Sequence, residues 1–323
     1  MIKILQGNCL DKLKELPDQS INTCITSPPY WGLRDYGEDK QLGMEDTPEE
    51  FVDNLVEVFR EVKRVLRDDG TVWLNLGDSY CGTNHKKEFI DPKYKDGRAG
   101  QKFSLSHKIP GLKSKDLIGI PWRVAFGLQQ DGWYLRQDII WHKPNPMPES
   151  VRDRCTKSHE YIFLLSKSPK YYFDNEAIKE DSAESSKARL KQNIANQKGS
   201  DRVPGKNNGN MKEVGGDKRN KRSVWTVTTK PFKGAHFATF PMDLIEPCVL
   251  AGCPENGTVL DPFGGSGTTG IVASNHNRKA VLIELNTEYI EIARQRIQDQ
   301  GGLFTDLEIV SGDSKVLNGD SRV

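Results

Sequence analysis

Two short stretches combine residue types and spacing that could do chemistry. The first is Ser27-Pro28-Pro29-Tyr30, within CITSPPYW. It ends a β-rich run. Two consecutive prolines cannot continue a central strand, because proline has no N–H and fixes φ. The outcome is a stiff corner at a strand end, flanked by a hydroxyl and two aromatic rings. The second stretch is GTVLDPFGGSGTTG, Gly257 to Gly270. It reads as a buried strand, a glycine-rich turn and a helix. Gly265, Gly267 and Gly270 satisfy G-x-G-x-x-G, and the next strand, AVLIELN, ends in the acid Glu284, 23 residues beyond Asp261. Glycines let a ligand approach the backbone, the helix N-terminus offers free N–H groups, and an acid at that distance suits a ribose.

A nicotinamide dinucleotide is the usual inference from such a turn. Asp261 argues against it, since a pyrophosphate at the strand tip would meet a carboxylate. S-adenosylmethionine carries an ammonium, a ribose and no phosphate. Carboxylates at the first strand end (Asp261) and the second (Glu284) fit that molecule better.

The elements that must position these residues alternate between strand and helix patterns. Strands are expected at KILQG, INTCITS, GTVWLNLGD, YLRQDIIWHK, EYIFLLSK, GTVLDPF and KAVLIELN. Helices are expected at 48–67, 117–130, 241–251, 267–275 and 287–298, the first with Phe51, Leu55, Val58, Val62 and Val65 on one face. That alternation predicts an α/β fold, a Rossmann-like, mainly parallel sheet flanked by helices. Three regions are expected: residues 1–172 with a polar loop insertion near 84–114, a basic variable region at 173–224, and 225–323. No run is apolar enough to span a membrane, and the N-terminus lacks a secretory pattern, so a cytoplasmic protein is expected. The six cysteines form no C-x-x-C pair and the six histidines no metal spacing. Free structural thiols and no metal site are therefore expected.

TSPPYW and DPFGGSGTT together resemble the amino-methylating DNA methyltransferases, which move a methyl group from S-adenosylmethionine to the exocyclic amine of cytosine (N4) or adenine (N6). Ser27-Pro28-Pro29-Tyr30 matches the family's [DNS]-P-P-[YFW]. The order, catalytic motif first and cofactor motif last, resembles the circularly permuted beta class. The resemblance covers roughly residues 1–80, 117–172 and 225–300. It implies the strand order 3-2-1-4-5-7-6, counting the DPF strand as first, which makes the DPF and SPPY strands neighbours. It also implies cofactor contacts from Asp261, Phe263, Gly265, Ser266, Gly267, Thr268 and Glu284. His236 and Phe240, in KGAHFATFP, would help enclose the methionine part, and Asn8, in ILQGNCL, stands where the family often has Asp reading the adenine.

A duplex hides the base amine, so the resemblance implies a flipped base. Ser27 and the Pro28 carbonyl would hold the amine, Tyr30 would stack on the ring, and Pro29 would keep the corner rigid. The amine nitrogen would attack the methyl in line, with no cysteine nucleophile. Serine before Pro-Pro points to cytosine N4, with adenine N6 as the alternative; an NAD-binding oxidoreductase and a non-catalytic DNA-binding protein are more remote ones. The implied partner is double-stranded DNA, with a cognate restriction endonuclease possible and a monomer or homodimer open.

The chain is near neutral, at +1, but Glu184 to Arg222 holds eleven Lys/Arg against four Asp/Glu, and 174–224 has no aromatic residue. This segment is expected to contact the DNA backbone, with Lys218, Arg219, Lys221 and Arg222 as candidates; base readout is expected partly here and partly in residues 144–160, PNPMPESVRDRCTKSHE, with Arg152 and Arg154 as candidates. Neutralising four of the segment's charges is expected to weaken duplex binding and flatten its salt dependence; an unchanged salt slope would reduce the segment to a linker.

Overall fold

The structure, a computed structural model, describes residues 1–32, 41–82, 109, 111–185, 217–229, 240–300, 306–311 and the backbone of 314–316. Two units are distinguishable: Met1–Phe173 with Ser223–Val323, and Asp174–Arg222. In the smaller unit the described residues include a short antiparallel pair, β6 (Glu180–Asp181) and β7 (Lys218–Arg219). Most of the basic segment, 186–216, and most of the expected 84–114 insertion lie outside the described residues.

The larger unit is built on one ten-stranded sheet. Its strands are β1 (Ile2–Gln6), β2 (Ile21–Thr26), β3 (Leu66–Leu76), β4 (Tyr134–His142), β5 (His159–Ser166), β8 (Val224–Thr226), β9 (Thr258–Asp261), β10 (Lys279–Glu284), β11 (Leu307–Ser311) and β12 (Ser314–Val316). The order is β12-β11-β1-β10-β9-β2-β3-β5-β4-β8. Pairing is parallel from β11 through β3 and between β4 and β8; β12, and β5 against both β3 and β4, are antiparallel. Counting β9 as first, the stretch from β1 to β4 runs 3-2-1-4-5-7-6, the order implied by the resemblance. The seven expected strands all form; β8, β11 and β12 extend the sheet at its two edges.

Six helices lie among the described residues: α1 (Cys9–Lys14), α2 (Pro48–Val65), α3 (Ile120–Gln130), α4 (Met242–Gly252), α5 (Thr268–Asn275) and α6 (Thr287–Gln300). Helix α2 starts where Thr47 and Glu50 form a reciprocal capping box with Pro48 in the first turn. Its expected inner face, Phe51, Leu55, Val58, Val62 and Val65, is buried. With α1 and α3 it joins a cluster that includes Leu5, Cys24, Val72, Leu74, Leu260 and Ile283. The intervening residues Ile4, Trp73, Val259 and Leu282 are buried on the other face, as a period of two requires. There α4 and α5 press close: a Cβ on Gly252 would stand 2.6 Å from Trp73 Nε1, and one on Gly270 3.0 Å from Leu282.

The central joint is the β2–β9 pair, Thr23 opposite Val259 and Cys24 opposite Leu260. Just beyond it, Thr26 Oγ1 donates to Asp261 Oδ1 at 2.6 Å, across 235 residues of sequence. Thr269 Oγ1, in the first turn of α5, donates to Oδ2 at 2.6 Å, and the Phe263 N–H donates to Oδ1 at 3.1 Å. Asp261 is 1% exposed. Both of its oxygens accept hydrogen bonds from the protein, and the side chain is turned inward. Three donors partly offset the desolvation of a buried carboxylate, each charge-assisted bond being worth roughly 1.5–3 kcal/mol.

Burial still prevails and lifts the Asp261 carboxyl to about 6. A raised acid pKa means the folded state prefers the protonated form, so this stability is present below the ordinary value of 3.8 and lost as pH rises through about 6. The full span is on the order of 3 kcal/mol. Asp261→Asn keeps the shape and removes the charge. In denaturant titrations the wild type is expected to lose ground to this variant as pH is raised through about 6; a difference flat with pH would contradict the buried ionised state.

Candidate active site

The corner follows directly from the end of β2. Pro28 is buried, while Ser27, Pro29 and Tyr30 are half-buried. Trp31 belongs to the core and donates its indole N–H to the Glu45 carbonyl at 2.9 Å. Gly43 supports the corner from outside: its φ is +96°, and a Cβ there would lie 3.2 Å from the Tyr30 carbonyl. Tyr30 is held at two points. Its hydroxyl donates to Glu160 Oε2 at 2.8 Å. Its ring lies so close to the backbone beyond β3 that a Cβ on Gly77 would sit 2.5 Å from Cε2. The Ser27 hydroxyl has no hydrogen bond with any described residue.

The glycine turn lies one strand away. Gly265 has φ +48°, and a Cβ there would meet nothing nearer than the Phe263 carbonyl at 3.8 Å, so this face of the backbone is open. Gly267, with φ +79°, is the N-cap of α5, and a Cβ there would press within 3.1 Å of Ala293 on α6. Glu284, at the end of β10, accepts from the Gly265 N–H at 2.8 Å and the Asn286 N–H at 2.8 Å. Burial raises its pKa, and these backbone donors oppose the rise. Each carboxylate oxygen keeps capacity for a further donor. Phe263 is half-buried against the core cluster, and Phe240 is half-buried just before Pro241, the N-cap of α4. His236 lies outside the described residues.

Three further candidate residues have their side chains engaged within the protein. The hydroxyls of Ser266 and Thr268 both accept from Arg296 Nη1, at 2.6 and 3.0 Å, and both residues are buried. Their side chains face α6 and leave only the turn's backbone for a ligand. Asn8 Oδ1 accepts from the Leu10 N–H at 2.9 Å and the Asp11 N–H at 3.4 Å, which makes it the N-cap of α1. Its amide NH2 is the part left to read an adenine. Arg296 itself escaped the sequence reading, because nothing in the pattern of α6 separates an inward-reaching arginine from a solvated one.

The cations divide similarly. Arg152 is exposed and has no hydrogen bond or ion pair among the described residues. Arg154 is folded back instead: it pairs with Glu149 at 2.6 Å and lies 3.9 Å over the Tyr80 ring. In the smaller unit Arg219 and Arg222 share Glu180 Oε1, at 2.9 and 2.7 Å, so part of the local excess charge is neutralised. Lys218 and Lys221 are exposed and half-buried respectively.

The residues present fit S-adenosylmethionine: an open glycine turn, a half-buried acid on the neighbouring strand end, and an acceptor-bearing corner one strand on. Burial pushes the Cys9 and Cys253 thiols up to about 12 and raises Cys24, on β2, well above the ordinary thiol range. Among the described residues no helix is long and apolar enough to cross a membrane, and no group of His, Cys, Asp and Glu could hold a metal ion.

Comparison with known proteins agrees with this geometry. The DNA methylase family model matches residues 21–295. The Type II methyltransferase M.Cfr9I of Citrobacter freundii is 48% identical over 298 residues, 92% of this chain and 88% of that protein. Among solved structures, the PvuII DNA methyltransferase (cytosine-N4-specific) superposes with a TM-score of 0.62 at 19% identity, over 91% of this chain and 86% of that one. The protein TTHA0409 of Thermus thermophilus, complexed with S-adenosyl-L-methionine, gives 0.62 at 22% identity, over 97% of this chain and all (100%) of that one. With a family match across most of its length and a relative this similar end to end, the chain belongs to the DNA methylase family.

Proposed function

We propose that this protein is a Type II DNA methyltransferase that methylates the N4 amine of cytosine in duplex DNA, with S-adenosylmethionine as methyl donor. The observation that carries the reading is the juxtaposition on adjacent strands of the SPPY corner and the glycine turn, joined through Asp261 and Thr26. The cofactor supplies an electrophilic methyl group when bound. Glu284 would take the ribose hydroxyls, the open backbone at Gly265 would lie against the cofactor, and the Asn8 amide would meet the adenine edge.

At the corner, the Pro28 carbonyl and the Ser27 hydroxyl would accept the amine's N–H bonds and so aim its lone pair. Tyr30 would stack on the flipped base. Cytosine offers its N4 amine beside N3, an acceptor. A serine hydroxyl can both donate and accept, whereas an ionised carboxylate only accepts. The uncommitted Ser27 hydroxyl supports cytosine on that ground. A direct transfer to nitrogen needs no covalent base adduct. The exposed Arg152 and the basic residues of 184–222 would meet the DNA backbone. A companion restriction endonuclease is part of this reading, since the relatives are Type II methyltransferases.

Two substitutions separate the two halves of the site. Tyr30→Ala removes a stacking face worth on the order of 1–3 kcal/mol. It is expected to cut turnover on duplex DNA while calorimetry shows near-normal S-adenosylmethionine affinity. Glu284→Ala is expected to do the reverse, weakening cofactor binding about ten- to a hundredfold through the loss of charge-assisted bonds. Intact turnover in the first variant, or intact affinity in the second, would overturn the corresponding half. Ser27→Asp tests the base: loss of cytosine methylation is expected, and a variant that still methylates cytosine at full rate would contradict the role given to the hydroxyl.

A further inference from the structure

Beneath Tyr30 lies a polar group that the transfer reaction does not itself require. Glu160 stands at the start of β5, opposite Trp141 of β4 and next to Tyr161, which faces Leu76 at the end of β3. Its carboxylate takes donors from three other elements. The Tyr30 hydroxyl binds Oε2 at 2.8 Å, Asn75 Nδ2 approaches the same oxygen at 3.4 Å, and the Lys143 ammonium binds Oε1. Lys143 also lies 4.2 Å from the centroid of the Trp141 ring, and Asn75 is tied to the Tyr161 carbonyl at 3.0 Å. The side chains of Glu160 and Lys143 are only 14% and 18% exposed.

An ion pair this far from water is a poor stabiliser. Desolvating both charges offsets most of their attraction, and well-packed apolar residues would serve a strand end at least as well. The pair does supply a fixed acceptor at the far end of one aromatic ring. Gly77 supplies the complementary feature, a bare backbone against which the ring edge rests. Hydroxyl and ring edge are thus both held, and the ring's orientation is set before any ligand arrives. Preorganisation of this kind removes the cost of ordering a stacking surface during binding.

We propose that Glu160, itself held by Lys143 and Asn75, is a positioning residue that orients Tyr30 for stacking against the target base. The proposal rests on the assignment of Tyr30 given above. Glu160 touches neither cofactor nor reacting atoms; it acts through the tyrosine hydroxyl.

That dependence makes the proposal testable by a double-substitution cycle on the full-length protein, with unmethylated plasmid DNA and radiolabelled S-adenosylmethionine. Tyr30→Phe and Glu160→Leu are each expected to lower kcat roughly ten- to a hundredfold, the scale for a misplaced reacting group, with unchanged cofactor affinity. The double variant is expected to be no slower than Tyr30→Phe alone, because both substitutions cut the same link. A merely structural role would instead give losses that multiply, and multiplied losses overturn the proposal. If Glu160→Leu fails to fold because Lys143 loses its partner, Tyr30→Phe decides by itself, since it leaves that ion pair in place. Full turnover in Tyr30→Phe alongside an inactive Tyr30→Ala would overturn the role of Glu160 alone. Full turnover in both would instead overturn the assignment of the corner.

Discussion

The hydrogen bonds to Asp261 are the constraint on which the rest of the site depends. One carboxylate ties the last residue of β2, the first turn of α5 and the turn between β9 and α5. The residue after Thr26 begins the SPPY corner, and the residues flanking Phe263 and Thr269 make the glycine turn. The two chemical halves of the protein, encoded 235 residues apart, are therefore tied together by this buried side chain just beyond the β2–β9 pairing. Parallel pairing of β2 with β9 brings their carboxyl ends together, and crevices at such ends are where doubly wound sheets bind ligands.

The acids of the site are sorted by exposure into separate tasks. Asp261 is sealed and joins elements. Glu284, one strand over, steadies the glycine turn through the Gly265 N–H and keeps lone pairs in reserve. Glu160 lies below the corner and binds the tyrosine hydroxyl. Arg296 does from the opposite side what Asp261 does from within, since its guanidinium gathers Ser266 and Thr268 and holds the turn against α6. The outcome is a turn whose side chains are engaged inward and whose backbone is left open, the arrangement that lets a ligand approach closely.

Much of this was legible in the sequence. The near-continuous apolar runs of β3 and β5 are buried on both faces, so their composition marks them as strands. Helix α2 announces itself through Thr47, Pro48, Glu50 and a regular apolar face. The motif pair located both halves of the site, and a family resemblance supplied their adjacency, which no local pattern contains. What was missed follows from physics that acts at a distance. Helix α1 spans only Cys9–Lys14, too short for periodicity, and its one local signal is its cap, Asn8. Strand β8 has three residues, with Trp225 as its one inward side chain. The inward turn of Asp261, Ser266 and Thr268 depends on partners on other elements. The same holds for Glu160 and Gly77, whose importance appears only once Tyr30 is placed beside them.

The account's central claim is that an exocyclic amine, held at a rigid corner, receives the methyl group directly. Nucleoside mass spectrometry tests this most directly. Unmethylated duplex DNA would be incubated with the purified protein and S-adenosylmethionine carrying an isotopically labelled methyl, then digested to nucleosides. The account requires the label in N4-methylcytosine. Label in N6-methyladenine would keep the amine chemistry and contradict the role given to Ser27. Label in 5-methylcytosine would contradict the account at its root, because that product is formed at ring carbon and not at the exocyclic amine.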